Sequence, residues 1–210
     1  MRICAISDTH TKHRNIPFLP EADVIIHAGD CLGFGKFEEL YQFGHWYGNL
    51  PYKHKILIAG NHDWVFEKEP ERAQAIVKSF GITYLQDSEV VIDNIKFYGS
   101  PWQPEFNAWA FNLPRGQALK DKWAMIHDDT DVLITHGPPF GYGDMAPNNT
   151  FVGCRDMLDR ILQLPKLKAH IFGHIHCSYG TWFNNNVRYI NASICSERYE
   201  VDNQPHLFTI

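Results

Sequence analysis

Five short apolar runs, each cut off by residue types that ligate metals, constrain this chain more than anything else in it. Ile3-Cys4-Ala5-Ile6 leads into Ser7-Asp8-Thr9-His10, and Val24 to Ala28 leads into Gly29-Asp30. Ile56 to Ala59 is followed by Gly60-Asn61-His62-Asp63, Val132 to Thr135 by His136-Gly137, and His170 to Phe172 by Gly173-His174-Ile175-His176. Short runs without polar alternation fit strands covered on both faces, as in the parallel sheets of α/β proteins. Loops leaving the carboxyl ends of such strands converge on one edge of the sheet, where ligands bind. The five fragments are therefore predicted to meet in space. Asp, His and Asn supply the oxygen and nitrogen donors that suit Mn²⁺, Fe or Zn²⁺, and a carboxylate can bridge two such ions. The pattern is that of a two-metal hydrolase.

The remaining elements follow from periodicity and punctuation. Phe37 to Trp46 has near-helical apolar spacing and ends near Gly48, and Pro70 to Phe80 reads as a helix with Pro70 in its first turn and Gly81 as its stop. Ile82 to Leu85 follows as a strand. Glu89 to Ile92 and Ile95 to Gly99, joined by Asp93-Asn94, predict a β-hairpin and hence a mixed sheet. Leu119 to Ile126 and Val152 to Leu164 predict helices. Gly180 to Phe183, Val187 to Asn191 and Leu207 to Ile210 predict an antiparallel meander. Between them, Ser100 to Arg115 carries three prolines and four large aromatics with no period, which predicts a long ordered loop of the kind that covers functional sites.

Length and charge narrow the function. A chain of 210 residues, 44% apolar and 20% charged, buries a full core as one soluble domain without disulfides. The net charge of −5 lacks the basic face that long nucleic acid requires, so small substrates are expected. Five cysteines, odd in number and without Cys-x-x-Cys spacing, predict bland thiols in a reducing compartment. No apolar stretch approaches membrane-spanning length and no signal peptide is visible, so no membrane partner and a cytoplasmic location are expected. Of the twelve histidines, His13, His27, His45, His54, His127, His170 and His206 lie outside the ligand fragments and are expected to be surface or hydrogen-bonded structural residues.

The series of ligand fragments resembles the calcineurin-like metallophosphoesterases, whose signature reads D-x-H, G-D, G-N-H-[DE], H, G-H-x-H. Every ligand position of it is occupied here. Gly99-Ser-Pro-Trp-Gln-Pro104, Trp109-Ala-Phe-Asn-Leu-Pro-Arg-Gly116, His136-Gly-Pro-Pro139, Tyr179-Gly180 and Asn191-Ala-Ser193 narrow the resemblance to the small metallophosphodiesterases of the MPPED type. The resemblance implies a four-layer α/β/β/α metallophosphoesterase sandwich with mixed sheets and two divalent ions, Mn²⁺ first and Fe or Zn²⁺ as alternates. One ion would take Asp8, His10, Asp30 and His176, the other Asp30, Asn61, His136 and His174. It further implies that a bridging hydroxide attacks the phosphate and that His62 assists the leaving group with Asp63 orienting its ring. Some animal members have Gly where this chain keeps His174, so a full pair of sites is expected.

The activity so implied is hydrolysis of small phosphodiesters, cyclic nucleotides included. Trp102, Phe106, Trp109, Phe111 and Arg115 are the residues expected to wall the substrate pocket. Two other readings stay open. A phosphomonoesterase would need cations for a dianion, with Arg14 and Arg115 the nearest in sequence; a non-catalytic interaction scaffold on the same fold would show loss of ligands, and none is lost.

Overall fold

The computed structural model describes residues 1–210. Two sheets face each other, with helices on their outer sides. The first has the strand order β13-β1-β2-β3-β4, built from β1 (Arg2–Ile6), β2 (Val24–Ala28), β3 (His54–Ile58), β4 (Thr83–Tyr84) and β13 (His206–Thr209). Its first four strands are parallel and β13 runs antiparallel to β1. The second has the order β11-β12-β10-β9-β6-β5, from β5 (Ser88–Ile92), β6 (Ile95–Ser100), β9 (Val132–Thr135), β10 (Ala169–Phe172), β11 (Gly180–Asn184) and β12 (Val187–Asn191). Its four inner strands are parallel and both edges antiparallel.

The uninterrupted apolar runs are explained by burial on both faces. Along β1, Ile3 and Ala5 point into the layer between the sheets, while Cys4 and Ile6 point outward beneath the helices. The outer layer on the first sheet is α1 (Phe37–Gly48), α2 (Trp64–Lys68) and α3 (Pro70–Ser79). Helix α1 buries Leu40, Phe43, Gly44 and Tyr47, the i, i+3, i+4, i+7 stripe, and Tyr47 Oη donates to the carbonyls of Ile25 (3.2 Å) and Ile56 (2.9 Å). On the second sheet, α4 (Gln117–Ala124) and α5 (Arg155–Ile161) lay Leu119, Trp123, Met157 and Ile161 over Leu133, Phe172 and Tyr189. This is the four-layer α/β/β/α arrangement.

Several boundaries differ from the sequence reading. Helix α5 begins at Arg155 and not near Val152, because the residues before it are engaged in extended pairing: Val152 donates its N–H to Asp144 and Cys154 to Pro138. The last three strands are not one meander. β11 and β12 form a hairpin, but β13 crosses to the other sheet and pairs with β1, a long-range contact that local pattern does not register. Within Ser100 to Arg115, β7 (Gln103–Pro104) and β8 (Asn112–Leu113) pair with each other. Asp87 pins the base of that loop, accepting hydrogen bonds from Ser100 Oγ, Trp102 Nε1 and Lys122 Nζ at 2.7–2.8 Å.

The two sheets meet along a seam at their carboxyl edges. Residues beyond β12 leave the second sheet and join the end of β1: Ala192 donates to the Phe172 carbonyl, Ile194 donates to the Ser7 carbonyl, and Ser7 and Ser193 form a bridge. All five ligand fragments open onto this seam.

Candidate metal centre

Tight turns end the five strands and deliver the donors. Asp8, His10, Asp30 and His174 all have positive φ (+53, +42, +54 and +71°), a conformation that non-glycine residues adopt at a cost and that concentrates at functional sites. The glycines beside them serve close packing. A Cβ on Gly173 would lie 2.0 Å from Asp8 Oδ2, and one on Gly60 would lie 2.3 Å from Asp30 Oδ1. The loop that follows Asp30 is tied to α1 by Glu39, whose carboxylate accepts the backbone N–H groups of Gly33, Phe34 and Lys36.

The donors converge on Asp30. Its Oδ2 lies 3.4 Å from His136 Nε2 and 3.8 Å from His10 Nε2, the position of a carboxylate shared by two sites. On one side, Asp8 Oδ1 is 3.4 Å from His176 Nε2 and 4.0 Å from His10 Nε2. On the other, Asn61 Oδ1 is 2.9 Å from His136 Nε2, and the His174 ring stands 5.0 Å from the His136 ring. The donor atoms of Asp8, His10 and His176 lie within 4.8 Å of one another, as do those of Asp8, Asp30 and His136. One further triad is His10, Asp30 and His62.

The hydrogen-bond pattern tests whether cations fit. His136 Nδ1 donates to the Ala28 carbonyl at 3.0 Å and His176 Nδ1 donates to the Ser196 carbonyl at 3.1 Å. A neutral imidazole so held presents a bare lone pair at Nε2. Both lone pairs then face carboxylate or amide oxygens, acceptor against acceptor, and His10 Nε2 and His176 Nε2 confront each other at 3.2 Å. A divalent ion among these atoms resolves all of these contacts at once, and an added proton resolves those with the carboxylates. The site fits divalent ions in its donor types, its carbonyl-braced imidazoles and its shared carboxylate.

Without ions, protons take that place. Burial opposes charge on His136, but the Asp30 carboxylate overrides it and raises the imidazole to about 9; His176 is raised to about 9 by Asp8 against the same burial. Burial would raise the Asp8 and Asp30 carboxyls, yet the adjoining histidines hold both below the usual carboxylate range. His10 is lowered to about 4 and His174 to about 3, chiefly by burial.

His62 and Asp63 occupy different environments. The His62 ring stacks on Trp109 (centroids 4.3 Å apart), its Nδ1 donates to the Gly33 carbonyl at 2.7 Å, and its backbone N–H donates to Asp30 Oδ1 at 2.8 Å. The orienting group for His62 is thus Gly33 and not Asp63, a correction to the sequence reading. Asp63 is fully buried and accepts from the backbone N–H groups of Gly60 (2.8 Å), Leu32 (2.9 Å) and Cys31 (3.3 Å), bracing the Gly29-to-Leu32 and Gly60-to-Asp63 turns against each other. Burial and the nearby Asp30 charge push its carboxyl up to about 7. Cys31 directs its thiol at Asp63, and Cys177 directs its own at the Met145 carbonyl, so neither points to the donor set.

The expected aromatic wall is half present. Phe106 lies edge-on to His174 (4.8 Å) and Trp109 covers His62, and both line the 160 Å³ cavity above the donors. Phe111 and Trp102 do not. Phe111 is fully buried in the core under the first sheet, packed against Trp102, whose indole N–H is committed to Asp87. Arg115 lies beyond this cavity, its guanidinium donating to the carbonyls of Val152 and Gly153, and Arg14 lines a separate surface hollow with His45 and Trp46.

Two residues of the cavity were not singled out from the sequence. Tyr199 sets its ring 4.8 Å from that of His10 at a positive φ of +57°, and Glu197 lies on the rim, accepting the Cys177 N–H at 3.0 Å. Both follow the chain's exit from β12, so extending the strand-end rule to Val187–Asn191 would have found them.

Comparison with known proteins gives the family and the fold. The family model described as calcineurin-like phosphoesterase matches residues 1–178. The chain is 41% identical to "Metallophosphoesterase domain-containing protein 1" of Homo sapiens in an alignment of 226 positions, gaps included, that covers 97% of this chain and 69% of that protein. It is 37% identical to a UPF0046 protein of Caenorhabditis elegans, covering 100% of this chain and 81% of the relative. Among solved structures, TT1561 of Thermus thermophilus superposes with a TM-score of 0.59 at 12% identity, over 90% of this chain and 88% of that one, a likeness of fold. Another covers 99% of this chain and 98% of its own with a TM-score of 0.69 at 15% identity. The chain belongs to the calcineurin-like phosphoesterase family and is similar across nearly its whole length to its metallophosphoesterase domain-containing members.

Proposed function

We propose that this protein is a binuclear, divalent-metal-dependent phosphodiesterase acting on small phosphodiesters, cyclic nucleotides among them. The observation that carries the diester preference is the composition of the cavity. Around the donors it offers Phe106, Trp109 and Tyr199, one carboxylate from Glu197, and no Lys or Arg. A phosphomonoester dianion is normally met by guanidinium or ammonium groups, whereas a diester monoanion with an organic arm suits metal ions and aromatic walls.

Asp8, His10, Asp30 and His176 would hold one ion, and Asp30, Asn61, His136 and His174 the other. Bound there, divalent ions of the Mn²⁺, Fe or Zn²⁺ type supply Lewis acidity toward the phosphoryl oxygens and lower the pKa of water. The chain's own contribution to bond breaking is His62. With Nδ1–H held by the Gly33 carbonyl, Nε2 is the atom left to face substrate. As a hydroxide oxygen bonds to phosphorus and the ester P–O bond breaks, a proton held on His62 Nε2 can pass to the departing oxygen. Trp109, stacked on the ring face, keeps it in that orientation.

The test compares leaving groups. His62→Ala is expected to lose ~10²–10⁴-fold in rate on a cyclic nucleotide, whose alkoxide needs a proton, and less on a nitrophenyl diester. Metal content should not change. Equal deficits on both substrates would assign His62 to stabilising the phosphoryl oxygens, and loss of an ion would place it among the ligands. Faster turnover of the mononucleotide than of the cyclic diester by the unmodified enzyme would overturn the diesterase reading.

A further inference from the structure

A second cavity, of about 370 Å³, adjoins the 160 Å³ cavity over the donors and shares Phe106, His174 and Glu197 with it. The smaller volume accommodates little beyond the phosphate and the atoms bonded to it. A diester has two organic arms, so at least one must leave that space. The shared residues mark where it can: Phe106, edge-on to His174, forms the threshold between the two cavities.

The second cavity lies between the aromatic loop and the segment Gly137 to Val152. Its walls are largely apolar, with Phe106, Pro138, Ala146 and Val152 facing it. Its charged groups are Glu105, Glu197 and Arg115. The guanidinium of Arg115 is drawn to the carbonyls of Val152 and Gly153, so its donors serve the wall rather than the cavity. The two glutamates carry no such engagement with a cation, since neither takes part in an ion pair. The walls therefore favour an apolar occupant and oppose a further anion.

Building on the diesterase reading, we propose that this cavity is the subsite for one ester arm and that it selects bulky apolar arms carrying no second negative charge. The substrate class is then a phosphodiester of one aryl- or nucleoside-sized alcohol, with diesters that bear an additional phosphate or carboxylate on that arm discriminated against.

Competition distinguishes this inference from the reading on which it rests. Dimethyl, benzyl methyl and 4-carboxybenzyl methyl phosphate are compared as competitors of nitrophenyl diester hydrolysis by the Mn²⁺-loaded enzyme. Benzyl methyl phosphate is expected to compete about tenfold or more better than dimethyl phosphate, and the carboxyl group to cancel most of that gain. Val152→Trp and Ala146→Trp, which fill the cavity from two positions, are expected to bring the benzyl-to-methyl ratio of inhibition constants to near one. Glu105→Gln, an exposed position, is expected to narrow the carboxyl penalty. If dimethyl phosphate competes and the benzyl arm brings nothing, or if the benzyl preference persists in both tryptophan variants, the subsite is overturned and the diesterase reading stands. If no diester is hydrolysed or competes with both ions bound, both fall together.

Discussion

Loading the centre with metal should expel protons, and the structure sets how many. In the ion-free site His136 and His176, each raised to about 9 by a neighbouring carboxylate, are imidazolium at neutral pH, whereas His10 and His174, lowered to about 4 and about 3, are already neutral and can ligate without net loss of a proton. Each ligand set thus holds one protonated histidine that must lose its proton before Nε2 can ligate. At pH 8 an imidazole of pKa about 9 carries about 0.9 proton, and Asp63, at about 7, is largely ionised, so the histidines dominate. The expectation is a release of about one proton per ion, with ionisation of water able only to add to it. Calorimetric titration with Mn²⁺ in buffers of different ionisation enthalpy measures the number directly. The apparent affinity of each site should rise about tenfold per pH unit below pH 9. Release of fewer than about 0.5 proton per ion, or an affinity flat between pH 6.5 and 8.5, would refute the assignment of these two histidines. The same charges act on stability. Since the folded pKa is above the unfolded one, their contribution in ion-free protein is complete below about pH 6.5 and is lost as pH rises through about 9.

Three further outcomes follow from particular contacts. Trp109→Ala and Phe106→Ala should raise KM for aryl or nucleoside diesters more than for dialkyl ones, while Phe111→Ala, which empties a core position, should instead destabilise by about 3–5 kcal/mol in denaturant titration. Gly173→Ala would set a Cβ 2.0 Å from Asp8 Oδ2; a fall in Tm of roughly 2–12 °C and a weakened first ion site are expected, and unchanged metal affinity would show that the turn yields freely. His27 and His170 are buried and lowered to about 3 by burial, so the stability tied to their neutral forms is present above the unfolded value of 6.5 and is lost as pH falls toward 3. Thermal unfolding between pH 4 and 7 should show this loss, and His170→Gln should flatten it.

Much of the centre was legible because both ends of each ligand fragment carry information. A run such as Ile3 to Ile6 is apolar at every position only if both faces are covered, and Asp8-Thr-His10 directly after it places donors at a strand's carboxyl end. What escaped depends on contacts far apart in sequence. Nothing local to His206–Thr209 indicates β1 as its partner, and nothing in Trp102 or Phe111 separates a pocket wall from a core plug; the indole N–H of Trp102 is directed inward by Asp87. Asp63 sits beside His62 in the chain, yet the turn between them points the two side chains to opposite tasks. The five residues of α2 are too few for periodicity to register.

The seam between the sheets has a bearing on how the protein acquires its centre. Asp8, His10, Asp30 and Asn61 arrive on the first sheet and His136, His174 and His176 on the second, and the crossing strand that joins the edges pairs only late in the chain, through Ser193 and Ile194. In a partly folded chain the first sheet alone offers three of the four donors proposed for one ion and two of the four for the other, and the second sheet holds the rest. Ion binding would therefore favour the docked state, where both donor sets are complete, by up to about 2.7 kcal/mol per ion at a free concentration one hundred times Kd. A metal ion bound at the proposed sites would act as a clasp on the finished sandwich, so retention of ions during unfolding would report on whether the two sheets are still in register with each other.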